Sequence, residues 1–551
     1  VLAHLACAAW LSFACAAAQG RDYAVASAHP LATAAGYEML ERGGNAFDAA
    51  VAVAATLAVV EPYASGLGGG GLWLLHRARD GHEAMVDARE TAPAAASPAL
   101  YLGPDGAPIH EATRRGGLAA AIPGTPAALA HVAQRYGTLP LSATLAPAIR
   151  HAREGFPVGA RYAQVAALRE RWLREGVGTA AIFLDGGRAP RPDWVLRQPE
   201  LAATLERIAA HGREGFYAGA VARALVETVR RAGGVWTLAD LASYRVVERA
   251  PLRVRYRGAR ITTATLPSAG GLALVQSLQM LERFPAGDGR EPATAHLVVE
   301  ALRRAFHDRA RHLGDPDFVP VPLARLASRA HAAKLAQTID PRAATPSESL
   351  AQQPASEGES TTHFSIVDAH GNRVAATLTI NLLFGAGVVA AGTGVLLNNE
   401  MDDFALAPGV PNAFRLHGGE PNAIGPGKRP LSSMTPTFVE DERGVLVAGS
   451  AGGPRIVSQV LLAVLDYLHE KAVDPARIAT APRYHHQGWP DRVEVEPGAF
   501  PPAWRAALEA KGHEVRVAER RWGNMQLVFR SRASGRAIAA SDPRGTGLAW
   551  Y

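Results

Sequence analysis

Thr361, in the run Glu359-Ser360-Thr361-Thr362-His363-Phe364, is the residue whose chemistry organises this chain. A threonine hydroxyl attacks a carbonyl poorly unless a base removes its proton, and a free α-amine on the same residue supplies that base. Such an amine titrates near about 7.7–8.0, so a useful fraction is neutral at physiological pH. It exists only once the Ser360–Thr361 bond is cut. The expectation is therefore self-cleavage at that bond, with Thr361 becoming both nucleophile and general base.

The surrounding elements must hold this residue. Upstream, the polar and aperiodic stretch from Thr345 to Gly358 reads as a loop. Downstream, Thr362 to Asp368 reads as a strand, His370-Gly371-Asn372 as a turn and Arg373 to Asn381 as a second strand. Its alternation puts Val374, Ala376, Leu378 and Ile380 on one face, and Thr377, Thr379 and Asn381 on the other. Thr379 and Asn381 are thus expected side by side, facing Thr361.

Other stretches offer supporting chemistry. Asn45-Ala46-Phe47-Asp48 caps a helix running to Val60 that is apolar on nearly every face and so buried. The run Gly66 to Gly71 lets backbone approach backbone or ligand, but no Gly-Lys-Ser/Thr follows to make it a phosphate loop. Leu72 to His76 and Ala84 to Asp87 read as paired strands; Arg89, just beyond, reads on its own as a surface ion pair with Glu90 or a neighbour. The stretch Ala293 to Leu313 is amphipathic. Its band of His296, Glu300, Arg304 and Asp308 reads as a solvated face laced with ion pairs, not as a metal site. Glu400, Asp402 and Asp403 crowd three carboxylates together without the alternation of a calcium loop. Pro408 to Asn422, rich in Pro, Gly and Asn with Phe414 at its centre, suits a mobile lid. Gly452-Gly453-Pro454 lies between a strand, Gly444 to Ser450, and a helix from Arg455; amides at such a helix start can hold an oxyanion, and a plain turn is equally consistent.

With 551 residues, 48% apolar and 20% charged, the chain fits one large α/β body or two domains and excludes extended disorder. A net charge of +6 is spread without a basic run, and pairs such as Arg303-Arg304 and Arg520-Arg521 read as solvated faces, so no nucleic-acid partner is expected. Residues 1–20 carry no charged side chain and resemble a signal peptide lacking its basic start. The expectation is export to a bacterial periplasm or beyond, with no stable membrane span in the mature protein. Cys7 and Cys15 both fall in that segment, so thiol catalysis, disulfides and Cys-based metal sites are excluded from the mature chain.

Taken together, these blocks resemble the gamma-glutamyltransferase (gamma-glutamyl transpeptidase) family of N-terminal nucleophile hydrolases. The resemblance rests on Thr361 to Asp368, Leu397 to Phe404, Arg429 to Met434, Gly43 to Ala50, Gly66 to Gly71, Asp87 to Glu90, Leu313 to Pro316, Gly449 to Gly453 and Ala540 to Arg544, in unbroken order from about Ala24 to the C-terminus. It implies an α/β fold of the four-layer αββα sandwich type, built jointly by a large subunit, 21–360, and a small one, 361–551. It implies Thr361 as nucleophile, Thr379 beside it assisting cleavage, and Gly452 and Gly453 as the oxyanion hole. Arg89, Ser432 and Ser433 would hold the donor's α-carboxylate; Asn381, Glu400 and Asp403 would hold its α-ammonium. Phe414 would lie in the lid. Donors would be glutathione and related γ-glutamyl compounds, and acceptors water, amino acids or dipeptides, with no metal or organic cofactor.

A planar Arg fork suits a carboxylate, and fixing a zwitterionic head positions the γ-carbonyl against Thr361. Two positions depart from well-known bacterial members: Phe414 stands where they carry Tyr, and Glu400 where some carry Gln. The competing readings are a glutaryl (cephalosporin-type) acylase or a poly-γ-glutamate transpeptidase of the same fold, and an unprocessed binding protein. Retention of Asn381, Glu400 and Asp403 argues against the first, the lid against the second, and intact Thr361, Thr379, Gly452 and Gly453 against the third.

Overall fold

The computed structural model describes residues 21–350, 361–407 and 410–549. The segment 1–20, the loop from 351 and Ser360 itself, and Pro408 in the lid lie outside the described residues.

The hairpin read around Thr361 is present: β7 (Thr362–Val367) pairs antiparallel with β8 (Arg373–Thr379), Leu378 opposite Thr362. They are the centre of a seven-stranded sheet. Its other members are β1 (Ala24–Ser27), β2 (Gly70–Arg77), β3 (His82–Ala88), β4 (Val247–Arg249) and β13 (Leu548–Ala549), in the order β13-β1-β7-β8-β2-β3-β4. A six-stranded sheet is formed by β5 (Leu252–Tyr256), β6 (Ala259–Thr263), β9 (Thr437–Glu440), β10 (Gly444–Gly449), β11 (Gln526–Ser531) and β12 (Ala537–Ser541), in the order β12-β11-β10-β9-β6-β5.

Strand alternation assigns each face. Trp73, Leu75, Phe364, Ile366, Val374 and Ala376 pack outward onto helices α1 (Pro30–Glu41) and α2 (Ala46–Val60). Leu74, Val367 and Ala375 pack inward onto Phe438, Val445, Val447 and Val528 of the second sheet. The far face of that sheet, with Val439, Leu446 and Leu527, packs onto α3 (Ala269–Leu281), α4 (Pro292–His312) and α5 (Arg455–His469). Helix, sheet, sheet, helix is the αββα sandwich expected.

Local chemistry explains the joints. Asn45 accepts from the amides of Phe47 and Asp48 while Asp48 accepts from the Asn45 amide, a reciprocal cap that starts α2. Gly69 lies so close to β8 that a Cβ there would sit 2.0 Å from the Thr379 carbonyl oxygen, so only glycine permits this approach. Between the sheets His363 is held by the Thr377 and Ser365 hydroxyls, 2.8 and 3.2 Å away. Burial pushes its imidazole down to about 3, so it is neutral.

The band on α4 needs correction. His296, Glu300, Arg304 and Asp308 are buried, not solvated, and so is Arg303. Periodicity shows which residues share a face but not what covers it. Here the segment 345–347 does: Glu300 takes the Thr345 amide and hydroxyl at 3.1 and 2.6 Å together with both arginines, and Asp491 takes Arg303 and the Ser347 amide. The ion pairs expected are there, but inside.

Candidate active site

Thr361 stands immediately before β7. Its neighbour Thr362 donates to Glu61 Oε2 at 2.7 Å, and the Tyr63 hydroxyl donates to Glu61 Oε1 at 2.9 Å. β7 is thereby fixed to the end of α2. Burial raises the Glu61 carboxyl above its ordinary range.

One narrow pocket is lined by Thr361, Thr379, Asn381, Arg89, Glu400, Asp403, Ser432, Ser433, Phe414 and Gly453. Residues spread over more than 350 positions of sequence therefore meet at Thr361. Gly452 lines two adjoining pockets, one of which also contains Thr361.

Arg89 follows β3. Its amide donates to Asp87 Oδ1 at 3.0 Å and its carbonyl accepts from the Tyr244 hydroxyl at 2.8 Å. It is fully buried, not a surface residue, though the expected Glu90 partner is present at 3.1 Å. Nη1 also meets Glu400, and Nη2 meets Asp403 at 2.8 Å. Burial opposes the Arg89 charge, but Glu400, Glu90 and Asp403 hold it firmly protonated. Three carboxylates thus share one guanidinium. Burial, and then their mutual repulsion, pushes Glu90 up to about 7 and Glu400 up to about 8, with Asp403 well above its ordinary value.

The acidic run divides its labour. Glu400–Asp403 is a single 3-10 turn. Glu400 and Asp403 face the cavity. Asp402 turns away to accept from Thr113, Arg114 and the Ala413 amide, at 2.8, 3.1 and 2.8 Å. Asn398 and Asn399 brace the turn: Asn398 Nδ2 donates to the Gly68 and Ala121 carbonyls, and Asn399 Oδ1 accepts the Leu382 amide.

Asn381 reaches its place differently from the strand alternation expected. β8 ends at Thr379, and Asn381 has φ 72°, left-handed. Its amide donates to Thr379 Oγ1 at 2.8 Å and its Nδ2 to the Asn399 carbonyl at 2.8 Å. The two residues are adjacent because the chain turns. Asparagine tolerates that conformation better than most residues.

Ser432 Oγ accepts the Met434 amide at 3.0 Å, which orients the serine pair along the cavity wall. Gly452 and Gly453 have φ 117° and 56°, and α5 starts just after them. Phe414 and Leu416 line the cavity. Asn412 Oδ1 accepts the Phe414 and Leu416 amides at 2.9 and 3.1 Å, and its Nδ2 donates to Asp403 Oδ1 at 3.3 Å. Phe414 packs on Gly453, where a Cβ would fall 2.7 Å from the ring. With no hydroxyl on Phe414, the loop is tied through its main chain: Gln487 Nε2 donates to the Phe414 carbonyl at 3.1 Å.

Sequence reasoning missed Arg309, which lines the same cavity and is 4% exposed. It lies in the last turn of α4, where an arginine is explained well enough by the helix dipole. Only its burial distinguishes it, and that is invisible in the sequence.

A model of the family described as gamma-glutamyltranspeptidase matches residues 32–551. The chain belongs to the gamma-glutamyltranspeptidase family. It is 42% identical over 527 residues to the glutathione hydrolase proenzyme of Escherichia coli (strain K12), covering 94% of this chain and 90% of that one. Among solved structures, a cephalosporin acylase from Bacillus halodurans superposes with a TM-score of 0.84 at 29% identity, covering 97% of this chain and 96% of the other. A Pseudomonas nitroreducens gamma-glutamyltranspeptidase complexed with L-DON gives 0.55 at 38% identity, over 58% of this chain and 95% of that one. The family and the sandwich fold read from the sequence are both borne out.

Proposed function

We propose that this chain is a self-processing gamma-glutamyl transferase and glutathione hydrolase, matured by cleavage at Ser360–Thr361 into subunits 21–360 and 361–551. The α-amine of Thr361 takes the proton of its own hydroxyl. The oxygen then attacks the γ-carbonyl of the donor, and the oxyanion rests on the amides of Gly452 and Gly453. Collapse expels the peptide amine, which leaves with the proton, and a γ-glutamyl ester remains on Thr361. Water then releases glutamate, or the amine of an amino acid or dipeptide takes the acyl group.

One observation carries this reading. The cavity at Thr361 holds buried polar atoms of both signs without partners: Arg89 Nε is an unmet donor and Glu400 Oε2 an unmet acceptor. Unsatisfied buried groups are costly, so such a cavity favours a ligand carrying both a carboxylate and an ammonium. The α-amino-acid head of a γ-glutamyl donor is such a ligand. Arg89, Ser432 and Ser433 take its carboxylate; Asn381, Glu400 and Asp403 take its ammonium. A glutaryl donor, as in the acylase reading, would bring Glu400 and Asp403 no ammonium beyond the Arg89 they already share.

Export to a bacterial periplasm is part of the proposal. It is compatible with the described residues, in which no helix is long and apolar enough to cross a membrane.

Mass spectrometry of the purified protein, with and without a γ-glutamyl anilide, tests the whole scheme. The expected result is a small subunit beginning Thr-Thr-His-Phe that gains one glutamyl mass. An intact, unmodified chain that nevertheless turns over the anilide would refute it.

A further inference from the structure

Arg309 lines the cavity, and Asp403 offsets only part of the cost of burying its charge. Among the described residues no carboxylate forms an ion pair with it. Its Nε is buried without a hydrogen-bond partner, and its Nη1 makes one long contact, 3.4 Å, to the His417 carbonyl of the lid segment. Burial lowers its pKa to about 10, with Asp403 offsetting part of the effect, so the residue remains a cation at neutral pH while carrying most of its desolvation cost. Arg89, by contrast, has both terminal nitrogens committed to Glu90, Glu400 and Asp403. An anion entering the cavity meets one guanidinium whose terminal nitrogens are occupied by carboxylates and a second that forms no ion pair among the described residues.

We infer that Arg309 is a second binding residue for the α-carboxylate of the donor, lining the same pocket as Arg89 and supplying terminal nitrogens where those of Arg89 are taken up by Glu90 and the acidic turn. The inference rests on the γ-glutamyl reading of the cavity and adds a residue to it. In this arrangement Arg89 serves mainly to hold Glu400 and Asp403 in place for the ammonium, and its Nε has no hydrogen-bond partner. Arg309, tied by Nη1 to the lid backbone, also couples an occupied carboxylate site to a closed lid. An arginine suits both tasks because its planar fork presents separate nitrogens to ligand and carbonyl, whereas a lysine must serve both from one point.

The test is calorimetric binding of three small acids to the mature protein and to Arg309→Met. L-glutamate carries both head groups, glutarate lacks the ammonium, and 4-aminobutyrate lacks the α-carboxylate. A charge-assisted hydrogen bond lost from the carboxylate predicts affinity about ten- to a hundredfold weaker for glutamate and glutarate, with 4-aminobutyrate within about twofold of wild type. An equal loss for all three acids would make Arg309 merely structural and overturn the inference, as would no loss for any. If wild type discriminates none of the three, it is the γ-glutamyl reading that fails. Should Arg309→Met not mature, Arg309→Lys keeps the charge and loses the fork; a smaller loss confined to the same two acids supports the inference, and wild-type affinity for all three refutes it.

Discussion

Donor binding should draw a proton out of the enzyme, and the acidic turn fixes the direction. In the empty cavity burial pushes Glu400 up to about 8, so at pH 7 only about one molecule in ten carries it ionised. An ammonium in the cavity stabilises the ionised form. Binding at pH 7 must therefore release close to one proton, and the apparent affinity must rise with pH. From pH 6 to 7 the gain is about tenfold, or about 1.4 kcal/mol; it shrinks toward pH 8 and levels off above it. The same shift acts on stability. A carboxyl whose folded-state pKa is raised contributes stability that is full below its ordinary 4.5 and lost as the pH climbs through about 8, so the empty enzyme weakens over the range in which donor affinity grows. Isothermal titration of L-glutamate at pH 6, 7 and 8, repeated in two buffers of different ionisation enthalpy, measures both affinity and protons released. Glu400→Gln should flatten most of the slope. A wild-type affinity unchanged between pH 6 and 8, with heats independent of buffer, would show that the turn is already ionised and that the reasoning from burial is wrong.

Three further outcomes are expected. Thr361→Ala should remain a single chain near 58.0 kDa on a denaturing gel, without turnover of a γ-glutamyl anilide; two subunits from that variant would remove Thr361 from its role. Gly449→Ala puts a Cβ 2.1 Å from Cε1 of the buried His363, so the sheets must part; a cost of about 1–3 kcal/mol should appear as a lower Tm, and an unchanged Tm would mean the inter-sheet contact is soft. Asn412→Ala strands the Phe414 and Leu416 amides, so the lid should become sensitive to limited proteolysis and the donor KM should rise severalfold, by about 1 kcal/mol or more; wild-type resistance and KM would show that Gln487 alone keeps the loop shut.

What could be read from the sequence followed from local rules. The alternation of Arg373 to Thr379, the cap at Asn45 and the glycines before β2 each specify backbone geometry through their own side chains, and the structure has them where they were expected. The order of the motifs then implied the sandwich. What escaped was burial. The helical period and charged residues of the α4 band point to water, yet Thr345 and Ser347 lie over it, contributed by a segment more than forty residues from the helix centre. Arg89 and Arg309 look like ordinary surface arginines for the same reason. Asn381 was placed by strand period and arrived by a left-handed turn, because nothing in the residue types marks Thr379 as the last residue of β8.

The strand order has a consequence for how the molecule can be made. In the first sheet, strands from before and after Thr361 interleave: β13, then β1, then β7 and β8, then β2 to β4; in the second, β9 borders β6. Hydrolysing the backbone at Thr361 therefore frees neither product, since each remains laced through the other by ladder hydrogen bonds on both sides. Produced separately, the halves would each display bare strand edges and tend to aggregate. The intact polypeptide would act as its own assembly jig, and the linkage proposed to be cut would be dispensable only after the weave is complete.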